Sequence, residues 1–246
     1  MRILFVNDDG IEAKGLQSLV RIFEEKYECS VVAPRFEQSA KGHSFTMREP
    51  VKLSELHEKK WTLSGTPADC VYVALHYLKI RPDVIISGIN QGTNLGTDIF
   101  YSGTVGAARE GALNSIPSFA VSTKPLENTL SFYNQVAQSF FSIFEQLLVL
   151  PGMLHNVNIY PNQHAPVCIA PLGRRLYQYR VREEEEGLIL GGPPYGYKGN
   201  DECDIACYER GFTTITPLSM DGTDHTALET IQKKHISLSV TDSHSD

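Results

Sequence analysis

The chain alternates short, mainly apolar runs with longer segments in which apolar residues recur every three or four positions. The runs have the length and composition of buried strands and comprise residues 3–6, 30–33, 84–86, 119–121, 156–159 and 167–170. The periodic segments are typical of amphipathic helices and comprise residues 16–23, 66–78, 103–114 and 128–149. Strands that alternate with helices in this way form a parallel sheet with helices on both faces. We therefore predict an α/β fold.

Beyond the last of these runs the pattern changes to that of an antiparallel extension. Apolar and polar residues alternate over Tyr177–Val181, as in a half-exposed strand, and the glutamates at Glu183–Glu186 suit a solvated hairpin tip. A last helix is predicted over residues 226–234. We predict an α/β core over residues 1–171 and a C-terminal region of hairpin and helix over residues 172–246, both within one structural unit.

Charge and cysteine content argue against several classes of function. The 22 basic and 29 acidic residues give a net charge of −7, which disfavours a broad surface for nucleic-acid polymers. The sequence has no run of about 18 apolar residues to cross a membrane, and it turns acidic at Asp8, too early for a signal peptide. The five cysteines stand mostly in apolar runs, and no second Cys or His pair lies near Cys203 and Cys207 to complete a metal site. We expect a cytoplasmic protein with reduced thiols.

Polar residues cluster where the predicted strands end. Asn7–Gly10 follow the first strand, Ser39 lies in the long polar loop after the second, and Asn90 and Asn94 follow the third. The helix after the third strand begins with Ser102, Gly103 and Thr104. The carboxyl ends of parallel strands lie at one edge of the sheet, where ligands bind in open α/β folds. We therefore predict the functional site at this edge.

Asp8 and Asp9 suggest a cation site. Adjacent side chains on a regular strand point to opposite faces, so the two carboxylates converge only if the strand has ended, and Gly10 permits that turn. Two converging carboxylates repel each other and need a cation to remain ionised. Oxygen ligands suit Mg²⁺, Mn²⁺ or Ca²⁺ rather than Zn²⁺. The alternative is a solvated Asp-Asp-Gly turn, since these residue types favour turns.

Ser102, Gly103 and Thr104 form a candidate phosphate site. Ser102 can cap the helix, and the free backbone N–H groups of the first turn then offer, with two hydroxyls, a site for an anion. The alternative is an ordinary serine cap, but beside a cation such a helix start suits a phosphate ester. His43, in the same loop as Ser39, is a candidate acid or base. Thr66, the predicted cap of the second helix, is a candidate for the mouth of the site.

Several common motifs are absent from the sequence, which removes the enzyme classes that depend on them. There is no GxxxxGK[ST] P-loop and no GxGxxG dinucleotide fingerprint. There is also no HExxH zinc-protease motif and no GxSxG nucleophile elbow of a serine hydrolase.

Six motifs together resemble those of the SurE family of stationary-phase survival proteins, which are metal-dependent 5′/3′-nucleotidases. They occur in order and at compatible spacing: NDDG at 7–10, AP and QSA within 33–40, GTPADCV at 65–71, SGIN, G and NLG within 87–96, YSGTV at 101–105 and ITPL at 215–218. The resemblance spans nearly the whole chain and is weakest over residues 172–208 and in the C-terminal tail.

The resemblance implies a Rossmann-like core and a C-terminal region used to form a homodimer or homotetramer. It implies one divalent metal ion per subunit, Mg²⁺ or Mn²⁺, with Asp8 and Asp9 as catalytic residues. The positions of the family's metal ligands are those of Asp8, Asp9, Ser39 and Asn90. The positions near the substrate phosphate are those of Asn94, Ser102, Gly103 and Thr104. The implied reaction is release of phosphate from nucleoside 5′- or 3′-monophosphates and, in some members, from polyphosphate.

Two other functions fit parts of the pattern. A haloacid-dehalogenase-like phosphatase also has an aspartate after the first strand, but it needs a second aspartate two residues later. Here Gly10 follows Asp8 at that distance, and Ile11 follows Asp9. A non-catalytic nucleotide-binding protein on the same fold is the other alternative, because a fold does not determine its function. Release of phosphate distinguishes such a protein from an enzyme.

Overall fold

The computed structural model describes residues 1–150, 152–185 and 187–233. Within these ranges the α-helices are α1 (Lys14–Phe23), α2 (Pro67–His76), α3 (Gly103–Leu113), α4 (Leu130–Leu147), α5 (Asp204–Glu209) and α6 (His225–Gln232), and a 3-10 helix spans Gly96–Phe100. The strands are β1 (Arg2–Val6), β2 (Glu28–Pro34), β3 (Leu53–His57), β4 (Lys60–Leu63), β5 (Val84–Gln91), β6 (Ser118–Thr123), β7 (Leu154–Ile159), β8 (Val167–Ile169), β9 (Arg174–Tyr177), β10 (Arg180–Glu184), β11 (Gly187–Gly191), β12 (Pro194–Lys198) and β13 (Thr213–Pro217). No helix in the described ranges is long and apolar enough to cross a membrane.

Nine of these strands form one sheet in the order β3-β4-β2-β1-β5-β6-β7-β13-β8. The strands from β4 to β7 run parallel, and β3 and β13 run antiparallel to β4 and β7. From β1 the chain passes to β2 on one side and later to β5 on the other. The strand order therefore reverses at β1, which leaves a crevice between the carboxyl ends of β1 and β5. The predicted parallel sheet is confirmed, and it has a crevice at the position where ligands bind in open α/β folds.

Helices cover both faces of the sheet, as predicted. Ile3 and Phe5 of β1 pack into the core under α1 and α4, whereas Leu4 and Val6 pack into the core under α2. This alternation is the two-residue period of a strand that is buried on both faces, and it explains the continuous apolar run in the sequence. Phe23 of α1 lies at the centre of an aromatic cluster with Phe140, Phe141 and Phe144 of α4, which holds these two helices together.

Side-chain caps begin three of the four predicted core helices. Thr66 Oγ1 accepts a hydrogen bond from Asp69 N–H, and Asp69 accepts one from Thr66 N–H, so that a capping box begins α2. Ser102 Oγ accepts from Val105 N–H at the start of α3. Thr129 caps α4 in the same way. The predicted helices are confirmed, with bounds that differ by a few residues.

The C-terminal region forms two hairpins and also completes the main sheet. β10 pairs with β11 and β9 pairs with β12, both antiparallel, which confirms the predicted extension. The predicted strand over Tyr177–Val181 is wrong, because β9 ends at Tyr177 and β10 begins at Arg180. Glu185 lies in the β10–β11 connection, and Glu186 lies outside the described residues. β13 inserts between β7 and β8, so the division predicted at residue 171 runs through the sheet. Residue 234, the predicted end of the last helix, also lies outside the described residues.

Several elements of the fold were not predicted, and one strand end was wrong. β3 is largely exposed and lacks an apolar run, while α5 and β13 depend on contacts with distant segments. β5 does not end at Ile86 but continues to Gln91, with an irregular register between Gly88 and Asn90. Asn90 therefore lies in the last residues of the strand rather than in the loop beyond it.

Candidate metal and phosphate site

The two aspartates meet the segments that carry Ser39 and Asn90 at the crevice between β1 and β5. Asp8 and Asp9 follow β1 directly. Gln38 N–H donates to the carbonyl oxygen of Asp8 over 2.7 Å, which brings the loop that carries Ser39 beside the end of β1. Gln91 N–H, at the end of β5, donates to Asp9 Oδ2 over 3.1 Å. Two segments that are distant in the sequence thus contact the two aspartates.

Asp8 is buried at the N-terminus of α3. Its Oδ1 accepts a hydrogen bond from Thr104 Oγ1 over 2.6 Å. Burial raises the pKa of Asp8, while hydrogen bonds from the side chain and backbone of Thr104 oppose that rise. A Cβ atom added to Gly103 would lie 2.9 Å from Asp8 Cβ, so glycine is needed for this close approach. The anion at this helix N-terminus is therefore the carboxylate of Asp8 itself.

Asp9 is half-buried, and its charge is disfavoured by its surroundings. Burial and the neighbouring charge of Asp8 together raise the pKa of Asp9 to about 7, and the hydrogen bond from Gln91 N–H offsets part of the increase. The two carboxylates therefore repel each other. A cation between them would favour the ionised form of both.

Ser39 lines the cleft beside this pair, and Asn90 directly precedes Gln91, whose N–H contacts Asp9. Ser39 is exposed and lines the same cleft as Asp9, and its hydroxyl donates to Glu37 Oε1 over 2.6 Å. Asn90 is half-buried, and its Nδ2 donates to the carbonyl oxygen of Gly92 over 2.8 Å. That bond orients the amide plane and directs Oδ1 away from Gly92. The roles of both residues as metal ligands stay predictions.

The start of α3 is arranged around Asp8 more closely than the sequence suggested. The hydroxyl of Thr104 is committed to Asp8, and Ser102 Oγ accepts from Val105 N–H over 3.1 Å while its own hydrogen remains to be donated. A phosphate at this helix start would depend on the Ser102 hydroxyl and the backbone of Gly103. Thr104 donates its hydroxyl hydrogen to the carboxylate of Asp8, and its predicted place near the phosphate stays a prediction.

Asn94 is held by side chains from β6 and β7. Its N–H donates to Asn158 Oδ1 over 2.8 Å, and its carbonyl oxygen accepts from Asn156 Nδ2 over 2.7 Å. Its Nδ2 donates to Ser122 Oγ over 2.8 Å. All four residues are buried, and a connected network of this kind holds its members rigidly. Neither Asn156 nor Asn158 was selected from the sequence, because their partner lies some sixty residues away.

The C-terminal region supports the same loop. Asp98 in the 3-10 helix accepts a hydrogen bond from the Tyr177 hydroxyl over 2.7 Å and pairs with Arg175 at 3.0 Å, both from β9. Asp204, buried at the start of α5, accepts from Gly96 N–H over 2.7 Å. The shape of the loop that carries Asn94 therefore depends on residues of the C-terminal region, for which only a role in oligomer formation was expected.

His43 and Thr66 tie the long polar loop to the helices. His43 Nε2 lies 2.9 Å from Glu110 Oε2, six residues or about 9 Å of helix axis beyond Thr104. The Thr66 hydroxyl donates to the carbonyl oxygen of Ser44 while it caps α2. A catalytic role for His43 and a place for Thr66 at the mouth of the site stay predictions.

A cleft of about 440 Å³ opens beside Asp9, and several residues that line it were not selected from the sequence. Glu37 is one of them, and its charge raises the pKa values of Asp8 and Asp9 slightly further. Tyr133 of α4 is another, and burial together with the charge of Asp9 raises its pKa to about 12. Lys14 adds a positive charge to the lining. Only Glu37 had a sequence signal, as an acidic residue in a candidate loop.

The donor atoms at this site fit a hard divalent cation. Two carboxylates, a hydroxyl and an amide oxygen are all oxygen ligands, which Mg²⁺ and Mn²⁺ prefer. In the part of the chain that the structure describes, no three His, Cys, Asp or Glu side chains are grouped to hold a metal ion. A cation here would therefore need the Ser39 hydroxyl and the Asn90 amide in addition to the carboxylates.

Three kinds of comparison relate the chain to known proteins. Residues 3–179 match a family model described as survival protein SurE. The chain is 39% identical over 246 residues to the 5′-nucleotidase SurE of Pelotomaculum thermopropionicum, with 95% of each sequence covered. It is 40% identical to the 5′-nucleotidase SurE of Desulforamulus reducens, with 92% of this chain and 95% of that one covered. The crystal structure of the Sure protein from Aquifex aeolicus matches with a TM-score of 0.83 and 31% identity, covering 95% of this chain and 99% of that one.

Proposed function

The chain belongs to the SurE family of survival proteins, and from this we propose that it is a nucleotidase that releases inorganic phosphate from nucleoside 5′-monophosphates. Relatives that match over nearly its whole length carry the name 5′-nucleotidase. The single observation that carries the proposal is the contact between the aspartate pair and the start of α3, where Thr104 donates to Asp8 over 2.6 Å. A cation site and an anion site side by side suit a phosphate ester.

The proposal includes one divalent metal ion per subunit, Mg²⁺ or Mn²⁺, as cofactor. Its ligands would be Asp8, Asp9, Ser39 and Asn90. Bound there, the ion would polarise a phosphoryl oxygen and offset the negative charge that develops in the transition state. Support comes from the all-oxygen donor set and from the raised pKa values of the two aspartates, since a cation relieves their mutual repulsion.

The chain's own residues would bind and orient the substrate. The Ser102 hydroxyl and the backbone of Gly103 would hold phosphate oxygens at the positive end of the α3 dipole. Asn94, whose position is set by buried neighbours, would hold a further oxygen. Thr104 would keep Asp8 in its orientation. Water would then attack phosphorus in line with the leaving ribose oxygen.

The proposed substrate range extends to nucleoside 3′-monophosphates and to polyphosphate, and the proposed assembly is a homodimer or homotetramer built through the C-terminal region. Exposed apolar side chains on β10 and β11 support the proposed assembly, because such patches mark contact surfaces.

Among rival mechanisms, an aspartyl-phosphate pathway is disfavoured, since Gly10 stands where a second aspartate is needed. A non-catalytic nucleotide-binding protein is the alternative that the experiment below separates.

The test is phosphate release from a panel of substrates. The panel contains nucleoside 5′- and 3′-monophosphates, polyphosphate and p-nitrophenyl phosphate, each assayed with EDTA, Mg²⁺ or Mn²⁺. Asp8→Asn removes the central carboxylate, and Asp83→Asn is the matched control. Asp83 pairs with Arg2 on the surface, far along β1 from the crevice. We expect metal-dependent release that falls at least about a hundredfold in Asp8→Asn and is unchanged in Asp83→Asn.

The outcomes separate the candidate functions. Folded protein that binds a nucleoside monophosphate without releasing phosphate under any metal condition would establish the binding protein instead. Full activity in EDTA would remove the metal from the proposal and keep the nucleotidase. Full activity of folded Asp8→Asn would show that the reaction does not use this site.

A further inference from the structure

We propose that Cys168 and Cys207 form a modification site, at which a peroxide oxidises the two thiols to a disulfide that fastens α5 to the edge strand β8. The two sulfur atoms lie 2.6 Å apart, although the residues are separated by 39 positions in the sequence. This is well inside the contact distance of two non-bonded sulfur atoms and close to the length of a disulfide bond, about 2.05 Å. The proposal is independent of the proposed nucleotidase activity.

The backbone around both cysteines is already held in place. On the N-terminal side of Cys207, Asp204 N–H donates to the carbonyl oxygen of Pro171 over 2.8 Å. On its C-terminal side, Thr213 N–H donates to the carbonyl oxygen of Pro166 over 2.9 Å. These two bonds attach the segment of α5 on both sides of β8, so the sulfur atoms need little backbone movement to bond. Disulfides form readily only where the backbone satisfies this condition.

Exposure determines which thiol meets the oxidant first. Cys168 is half-buried on the outermost strand of the sheet, whereas Cys207 is buried. The Cys168 thiolate attacks one oxygen of the peroxide, the O–O bond breaks, and the other oxygen leaves with a proton as water. Cys168 is then a sulfenic acid, and the Cys207 sulfur attacks its sulfur. The S–O bond breaks and a second water leaves, so that two thiols and one hydrogen peroxide give one disulfide and two waters.

The surroundings disfavour metal binding by this pair. Arg210 Nη2 lies 3.4 Å from Cys207 Sγ, and its positive charge repels a metal cation. Cys203, which immediately precedes α5, faces elsewhere, because its sulfur lies 2.9 Å from where a Cβ of Gly173 would be. Burial and the neighbouring Cys207 raise the pKa of Cys168 to about 11, so the reaction is slow at neutral pH and accelerates as pH rises.

The experiment oxidises the full-length protein with hydrogen peroxide in EDTA at two pH values and maps the cross-link. Trypsin leaves Cys203 and Cys207 in one peptide, so a Cys203→Ser variant identifies the bonded residue. We expect the peptide of Cys168 to be linked to the peptide of Cys207 in the wild type and in Cys203→Ser. Cys168→Ser should lose the link. Cys29→Ser, which changes another half-buried strand cysteine, should keep it.

Thermal unfolding provides a second measurement. A bond that closes a loop of this length should raise the unfolding midpoint of the oxidised wild type by about 5–10 °C, and dithiothreitol should reverse the increase. Oxidised Cys168→Ser should show no increase. A link to Cys203, a link between two subunits, or two unlinked thiols after exhaustive oxidation would each overturn the proposal. Cys168→Ser removes a half-buried sulfur only, so its folding does not limit the test.

Discussion

At the scale of single residues, the site is governed by two carboxylates that the fold does not neutralise. The negative charge of Asp8 is stabilised by the Thr104 hydroxyl and by the N-terminus of α3. Asp9 accepts one backbone hydrogen bond and is repelled by the charge of Asp8. Burial makes this repulsion stronger than it would be in water. The energetic cost of the pair is the physical reason for expecting a bound cation.

The pH dependence of cation binding follows from the pKa of Asp9. A cation binds the ionised carboxylate, and the pKa is raised to about 7 in its absence, so binding must displace a proton at lower pH. We expect the apparent Mn²⁺ affinity to rise about tenfold per pH unit below pH 7 and to level off above it. Calorimetric titration in buffers of different ionisation enthalpy measures the proton release directly.

The same pKa predicts how the metal-free protein responds to pH. Because the folded-state pKa lies above the unfolded value, the contribution of Asp9 to stability is complete below about pH 4 and is lost as pH rises through 7. Asp9→Asn should remove the proton release that Asp9 contributes near pH 7 and should abolish this loss of stability. An Mn²⁺ affinity that is independent of pH between 5 and 7 would contradict the assignment.

At the scale of elements, α3 depends on glycine where other segments press against it. A Cβ at Gly106 would lie 2.3 Å from the carbonyl oxygen of Gly42, and one at Gly111 would lie 2.4 Å from Ser118 Oγ. Gly42 belongs to the long polar loop, and the N–H of Gly42 also donates to the carbonyl oxygen of Tyr101. The absence of a side chain at Gly106 therefore lets that loop approach α3, and the absence of one at Gly111 lets α3 approach β6.

Gly106→Ala tests this packing. Alanine is the better helix former by about 1 kcal/mol, so intrinsic preference alone predicts stabilisation. The contact with the Gly42 backbone predicts the opposite, a loss of about 1–3 kcal/mol with reduced phosphate release as the loop is displaced. Urea unfolding measures the sign. Gly196→Ala is the matched control, because an added Cβ there meets nothing within 4 Å, and its stability should hardly change.

At the scale of the whole molecule, the C-terminal region is part of the catalytic fold. β13 is the only described partner of the parallel edge strand β8 and also pairs with β7, so a strand from beyond residue 171 completes the sheet of the preceding residues. Asp204 and β9 meanwhile hold the loop next to the site. Activity should therefore require residues beyond 171.

Truncation tests this integration. A chain of residues 1–171 lacks β13 and leaves β7 with an open edge, and we expect it to aggregate or to show no cooperative thermal transition. A chain of residues 1–219 keeps β13 and loses α6, which buries no residues. It should unfold within a few degrees of the full-length protein. Cooperative unfolding of residues 1–171 would show that the core folds independently.

Much of the core could be predicted because its signals are local. Ile3–Val6 of β1 are apolar because this strand is buried on both faces, and Thr66 and Asp69 mark the start of α2. β13 had a weaker signal, since TTITP is rich in β-branched residues but has no continuous apolar run, although it lies between two other strands. At the site, the sequence could indicate which segments meet. It could not indicate that Thr104 is bound to Asp8, because that bond joins residues 96 positions apart.

The double hold on Asp98 by Arg175 and Tyr177 has a practical consequence. Both residues lie on β9, whose partner β12 follows the exposed β10–β11 hairpin. The β10–β11 hairpin is thus connected through β9 to Asp98 and to the loop that carries Asn94. A fluorophore attached at the exposed Leu188 would sense the loop without touching the crevice, and tethering the protein through that hairpin would pull on the loop where substrate is expected.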